Sequence, residues 1–148
     1  MHHEVSSELQ ELDHALNLLV HFVLVAAHAS GAAVALNELD GFRCRASVGE
    51  APAAGVAIPL DNTLSGECVR TGKIIRCDDT QETHPTLSST RSILLVPIRS
   101  YGKTNGLVAL FAREPHAFTD GDVAVTRCIA GTIAVTYMFA GAKRDAKR

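Results

Sequence analysis

The chain has 148 residues, 47% of them apolar and 20% charged, with a formal net charge of −2. That length suits one domain, able to bury about 70% of its unfolded surface without staples. The near-neutral balance leaves no electrostatic case for a nucleic-acid or membrane partner, and the basic end Lys143–Arg148 reads as a solvated tail.

The four cysteines, Cys44, Cys68, Cys77 and Cys128, form no C-x-x-C pair. No basic n-region or secretory cleavage site accompanies them, so reduced thiols and a cytoplasmic location are expected. The run Ala15–His28 is too short for a membrane span of about 20 residues, and it carries Asn17, His21 and His28.

In chain order, Ser7-x-x-Gln10 has the form of a capping box and predicts a helix to about Ala29. Leu9, Leu12, Leu16, Leu19, Val23 and Ala26 form an a/d-type seam. A second stripe, Ala15, Leu18, Phe22, Val25 and Ala29, lies beside it. The two together exceed the stripe that one sheet would cover, which predicts a homodimer through helices.

Gly31 is expected to end this helix. Ala32–Glu38 alternates as a strand, and Asp40-Gly41 is a hairpin signal. Phe42, Cys44, Ala46 and Val48 then face the core, with Arg43, Arg45 and Ser47 facing water. Gly49–Gly55 is a loop, and Val56–Leu60 a short extra strand limited by Pro59. Thr63 caps a short helix that Gly72 stops in the left-handed conformation. Lys73–Cys77 is a strand.

The stretch Asp78–Arg91 is polar, without apolar periodicity, and longer than an idle connection needs. Ser92–Arg113 is the centre of the chain: two strands, apolar on both faces, joined by a polar turn with two glycines. Phe118-Thr119-x-x-Asp122-Val123 opens a last helix, Gly121–Ala142. There Thr119 is the cap, Asp122 sits at N3, and Phe118 can staple onto Val123. Its apolar positions, Val123, Val125, Ile129, Ile133, Val135, Met138 and Phe139, nearly encircle it.

The order of these elements and several short motifs resemble the GAF domain family over about residues 15–142. They are Leu64-Ser65-Gly66, Thr71-Gly72-Lys73, Asp78, Ser92-x-Leu94-x-Val96-Pro97, Gly106-Leu107-Val108 and Phe118-Thr119-Asp120-Gly121-Asp122. The resemblance implies an α+β fold, a GAF/PAS-like antiparallel sheet of five or six strands with central order 2-1-5-4-3. The N- and C-terminal helices would lie on one face and ligand-pocket loops on the other, the whole of residues 1–148 forming one domain. It further implies a bacterial-type regulator: a stand-alone sensor that binds a small molecule and signals through its helices to a separate effector protein.

On that reading the ligand is held by Asp78, Asp79, His84, Thr86, Ser88, Ser89 and Arg91, with Thr63, Ser65 and Cys68 below it. A homodimer interface is expected at Leu12, Leu16, Leu19, Phe22, Val23, Ile133 and Tyr137. No metal is expected, because His84 with Asp78 and Asp79 lacks any ligand spacing. No Cys-His pair supports covalent bilin attachment, no cyclic-nucleotide motif is found, and the cofactor stays open. One alternative is a free methionine-(R)-sulfoxide reductase, which needs a nucleophilic thiolate and a resolving cysteine; Cys77 and Cys68 are the candidates. The other is a pocketless scaffold that dimerises or binds protein.

Overall fold

A computed structural model describes the backbone of residues 2–83 and 89–146 and the side chains of residues 10–81 and 89–137. Five antiparallel strands form the sheet: β1 (Gly31–Glu38), β2 (Gly41–Gly49), β3 (Ile75–Cys77), β4 (Ser92–Ser100) and β5 (Lys103–Ala112). Their order is β2-β1-β5-β4-β3, as the resemblance implied. The long helices α1 (His2–Ala26) and α4 (Asp120–Ala146) share a core with one face of the sheet. The short helix α2 (Leu64–Thr71) packs on the other, and one turn, α3 (Thr80–Thr83), follows β3.

The central hairpin serves both layers. Leu94, Val96, Ile98, Val108 and Leu110 pack under the long helices. Ile93, Leu95 and Leu107 pack under α2 with Phe42 and Cys68. The turn between the strands is shorter than the polar run Ser100–Gly106 implied. Tyr101 and Gly102 both take positive φ, 52° and 75°, the pair of values a two-residue type I′ turn needs. The ladder resumes at Lys103 opposite Ser100.

Helix α1 begins at His2, so Ser7 is not its cap. It ends at Ala26, not at Gly31. His28 takes the left-handed turn with φ 52°, and the Ala29 amide donates to the Leu24 carbonyl. Gly31 is needed for another reason: a Cβ there would sit 2.1 Å from the Glu50 carbonyl oxygen.

The buried row of α1 is Leu12, Leu16, Val20 and Val23, continued by Ala27 just past its end. This is the drift of a straight helix across a sheet rather than a 3.5-residue seam. Leu18, Phe22 and Val25 of the second stripe are exposed at 60%, 57% and 70%. The expected dimer interface is corrected accordingly. Leu12, Leu16, Val23 and Ile133 are buried in the chain's own core, and Leu19 and Tyr137 pack against it. Phe22 alone of that set is exposed. Leu9, Met138 and Phe139 lie outside the described side chains.

Strand β2 departs from simple alternation. Val34 pairs with Ala46 but Ala35 pairs with Cys44, so Arg45 is an extra residue, a β-bulge. Phe42 therefore joins the α2 layer while Ala46 joins the helix layer. Arg45 is not a water-facing residue of a regular strand: its guanidinium pairs with Asp13 of α1 at 2.5 Å and with Glu38 at 3.6 Å. The expected strand at Val56–Leu60 is reduced to one bridge, Ala57 to Arg43, along the outer edge of β2. Among the described residues, no helix is long and apolar enough to cross a membrane.

Candidate functional site

The sheet face away from the long helices carries the candidate site, a cavity of about 260 Å³. Its floor is Ala33 and Ala35 of β1 with Leu107, Ala109 and Phe111 of β5. Its roof is Pro52, Ile58, Pro59, Asn62 and the start of α2 at Thr63, Leu64 and Ser65. The floor is open where Ala33, Ala35 and Ala109 leave room beside Leu107 and Phe111. In the ladder Ala33 pairs with Ala109, whereas Val34, Leu36, Val108 and Leu110 fill the opposite face.

The roof is held by the N-terminus of α2. Thr63 Oγ1 accepts from the Gly66 amide at 3.0 Å and donates to the Pro59 carbonyl at 2.7 Å. That is the capping arrangement read from the sequence, and Gly72 closes the helix at φ 68°. Gly66 lets the turn close. A Cβ there would lie 1.7 Å from the Leu60 carbonyl oxygen.

Of the residues predicted to hold a ligand, Thr63 and Ser65 line this cavity and Cys68 does not. Cys68 is fully buried among Phe42, Ile93, Leu95 and Leu107. Burial, and secondarily the charge of Glu67, pushes its thiol up to about 12. His84, Thr86 and Ser88 lie outside the described residues. Ser89 is exposed, and neither it nor Asp78, Asp79 or Arg91 lines the cavity.

Those charged residues instead build the base of the 78–91 segment. Arg91 forms a two-pronged pair with Asp79, Nε to Oδ1 and Nη2 to Oδ2, both at 3.0 Å. This pairing, first through its hydrogen bonds, holds the Asp79 carboxyl below the usual carboxylate range. Buried Thr80 donates from Oγ1 to the Thr90 carbonyl at 2.5 Å, and its amide donates to the Arg91 carbonyl at 2.8 Å. The Asp78 carbonyl accepts from the His116 amide at 2.7 Å. Buried Ser92 donates to the Glu114 carbonyl at 2.5 Å and accepts from the Ala117 amide at 3.2 Å. At both its described ends, the polar stretch expected to hold a ligand is closed by hydrogen bonds into a clasp.

The cavity residues missed in the sequence are the alanines of β1 and β5. Part of their signal was present: Gly31, Ala33 and Ala35 recur at every second position of β1, and Ala109 lies opposite Ala33 between the larger Leu107 and Phe111 of β5. Among the described residues, no group of His, Cys, Asp or Glu is placed to hold a metal ion.

The GAF domain family model matches residues 7–136, most of the chain. The chain belongs to the GAF domain family. Solved GAF domains share its fold at low identity. The GAF domain of an Acinetobacter phosphoenolpyruvate-protein phosphotransferase is 18% identical, with a TM-score of 0.80 over 93% of this chain and 92% of that one. The GAF domain region of a putative membrane protein from Geobacter sulfurreducens PCA is 21% identical, with a TM-score of 0.81 over 92% and 99%. A type II free methionine-R-sulfoxide reductase from Thermoplasma acidophilum is also similar, 21% identical with a TM-score of 0.76 over 86% and 92%. No curated protein matches this sequence.

Proposed function

We propose that this GAF domain is a sensory binding module whose cavity takes a small, uncharged, mainly apolar molecule. The observation that carries this reading is the lining: no ionisable side chain contributes to it among the described residues. A charged ligand moved into such a site would lose its hydration without a partner charge. The volume lies near the lower end of the roughly 300–1,000 Å³ of typical ligand pockets, which favours a compact occupant over a tetrapyrrole. Asn62, Thr63 and Ser65 at the roof supply the few polar groups that orient such a ligand.

The same lining argues against a cyclic nucleotide or the zwitterion of methionine sulfoxide. Sulfoxide reduction also needs a thiol with a lowered pKa at the ligand, whereas burial raises that of Cys68 and neither Cys68 nor Cys77 lines the cavity. In this reading the domain binds rather than catalyses. Occupancy is passed to α1 and α4, two copies pair through the exposed apolar stripe of α1, and a separate protein receives the signal.

The test is a thermal-shift screen of small neutral organic molecules, repeated on Ala109→Leu, whose side chain projects into the cavity. Support is a ligand that raises Tm in the wild type, loses its effect in the variant and slows hydrogen exchange at residues 62–66. A ligand that must be anionic, or one that keeps its full effect in the variant, overturns the assignment.

A further inference from the structure

A second concavity, of about 420 Å³, lies where β3 stops short. β3 pairs only with Ile93, Leu94 and Leu95, so among the described residues β4 from Val96 onward has no strand partner on that side. The gap is bounded by Gly72, Lys73 and Ile74 on one side and by Arg127, Ala130 and Gly131 of α4 on the other. Pro97 within it offers no N–H to an added strand, so the gap is poorly suited to strand pairing.

Its charge is one-sided. Lys73, Arg99 and Arg127 line it, from three different segments, and among the described residues no carboxylate does. This contrasts with a chain whose net charge is −2. Arg99 is already fixed. Nη1 donates to Thr104 Oγ1 at 2.7 Å and Nη2 to the Gly102 carbonyl at 2.9 Å. The guanidinium lies against Gly72, where a Cβ would come within 2.0 Å of Nη1. Two of its five N–H donors are used, and the rest remain for a ligand. Neither Lys73 nor Arg127 has an ion-pair partner among the described residues.

Gly131 is an independent indication. Glycine inside a helix is unfavourable, and packing within the chain does not call for it, since nothing lies within 4 Å of where its Cβ would be. It leaves the wall of the cleft open to a ligand.

We propose that this cleft is a second ligand site, distinct from the apolar cavity, and that it takes a small phosphate-bearing anion. Guanidinium and ammonium donors converging from several elements match the multiple oxygens of a phosphate group. The apolar patch of Ile74, Val96 and Pro97 would receive an uncharged portion of the same molecule. Such a site gives the domain a second input, on the α4 side of the molecule.

Inorganic pyrophosphate is the probe, titrated calorimetrically at low salt, with hydrogen exchange as the second readout. The expected result is saturable binding that weakens as salt rises, with slower exchange at residues 72–74 and 127–131. Lys73→Gln and Arg127→Gln each weaken binding by about tenfold, the loss of one charge-assisted contact. Gly131→Leu removes binding while the protein stays folded. Absence of saturable binding overturns the proposal. So does binding that ignores all three variants, which marks an adventitious ion only. So does a change of sedimentation mass in Arg127→Gln, which would mean that a second chain occupies the cleft.

Discussion

Arg76 of the edge strand β3 reaches the first turn of α4: its Nη1 lies 2.8 Å from Asp120 Oδ1, and its Nη2 donates to the Phe118 carbonyl. Its Nε also lies 3.4 Å from Asp78. One side chain thus joins the start of the 78–91 segment to the start of a long helix. These groups are largely solvent-exposed, so the link contributes more to local order than to global stability. In Arg76→Ala, amides at 119–123 and 78–80 should exchange faster while Tm barely moves. Unchanged exchange would show that the two segments are held independently.

Gly66→Ala should be among the most damaging single substitutions. The new methyl would meet the Leu60 carbonyl at 1.7 Å, and a backbone atom cannot swing aside as a side-chain tip can. We expect a loss of at least about 2 kcal/mol in urea unfolding. Because α2 must shift, ligand binding in the apolar cavity should fall as well.

Phe22→Glu tests the exposed stripe of α1. Phe22 lies between exposed Leu18 and Val25, and a charge there would be desolvated in any helix-to-helix interface. Sedimentation should give a dimer for the wild type and a monomer for the variant. Leu16→Glu is not an equivalent probe, since Leu16 is fully buried within the chain and its replacement should unfold the protein.

The cysteines should react in an order set by access and ionisation. Cys128 is exposed, whereas Cys44 and Cys68 are buried. Burial raises both buried thiols; for Cys44 a backbone hydrogen bond at Ala46 partly offsets it. Iodoacetamide in mildly alkaline buffer should label Cys128 first and leave Cys44 and Cys68 untouched until denaturant is added. Rapid labelling of Cys68 in the native protein would contradict the packing described.

The clasp between Asp79 and Arg91 gives a sign for acid sensitivity. The carboxyl is held below its usual value of about 3.9. Its contribution to stability is therefore complete above that value and is lost as pH falls through the lowered native one. Tm measured downward from about pH 5 should drop more steeply for the wild type than for Asp79→Asn. Parallel curves would mean that the pair adds nothing to folding.

Much of the fold was legible because its signals are local. The Thr63 cap, the Gly72 stop and the reciprocal bonds between Thr119 and Asp122 follow from residue types at fixed spacing. The strand order came from the resemblance. The candidate site was less legible. Polarity drew attention to Asp78–Arg91, but opposite charges close together in a loop also satisfy one another, and Asp79 with Arg91 does so. The cavity is defined by what Ala33, Ala35 and Ala109 lack, and that shows only when the two strands are laid side by side. Several residues expected at a dimer interface lie in the chain's own core for a related reason. Leu12, Leu16 and Ile133 are as apolar as Phe22, and sequence alone does not say which apolar row meets the sheet.

The extra residue at Arg45 makes β2 tolerant of loss at one point. Phe42 and Ala46 stand four positions apart yet face opposite layers, which only the bulge allows. With Arg45 deleted they would stand three apart, and a regular ladder would keep both where they are. Such a variant should survive a selection for folded protein and lose only the tie from β2 to Asp13 of α1. The same deletion within the regular pairing of β1 with β5 would turn half a strand inside out and should be lost.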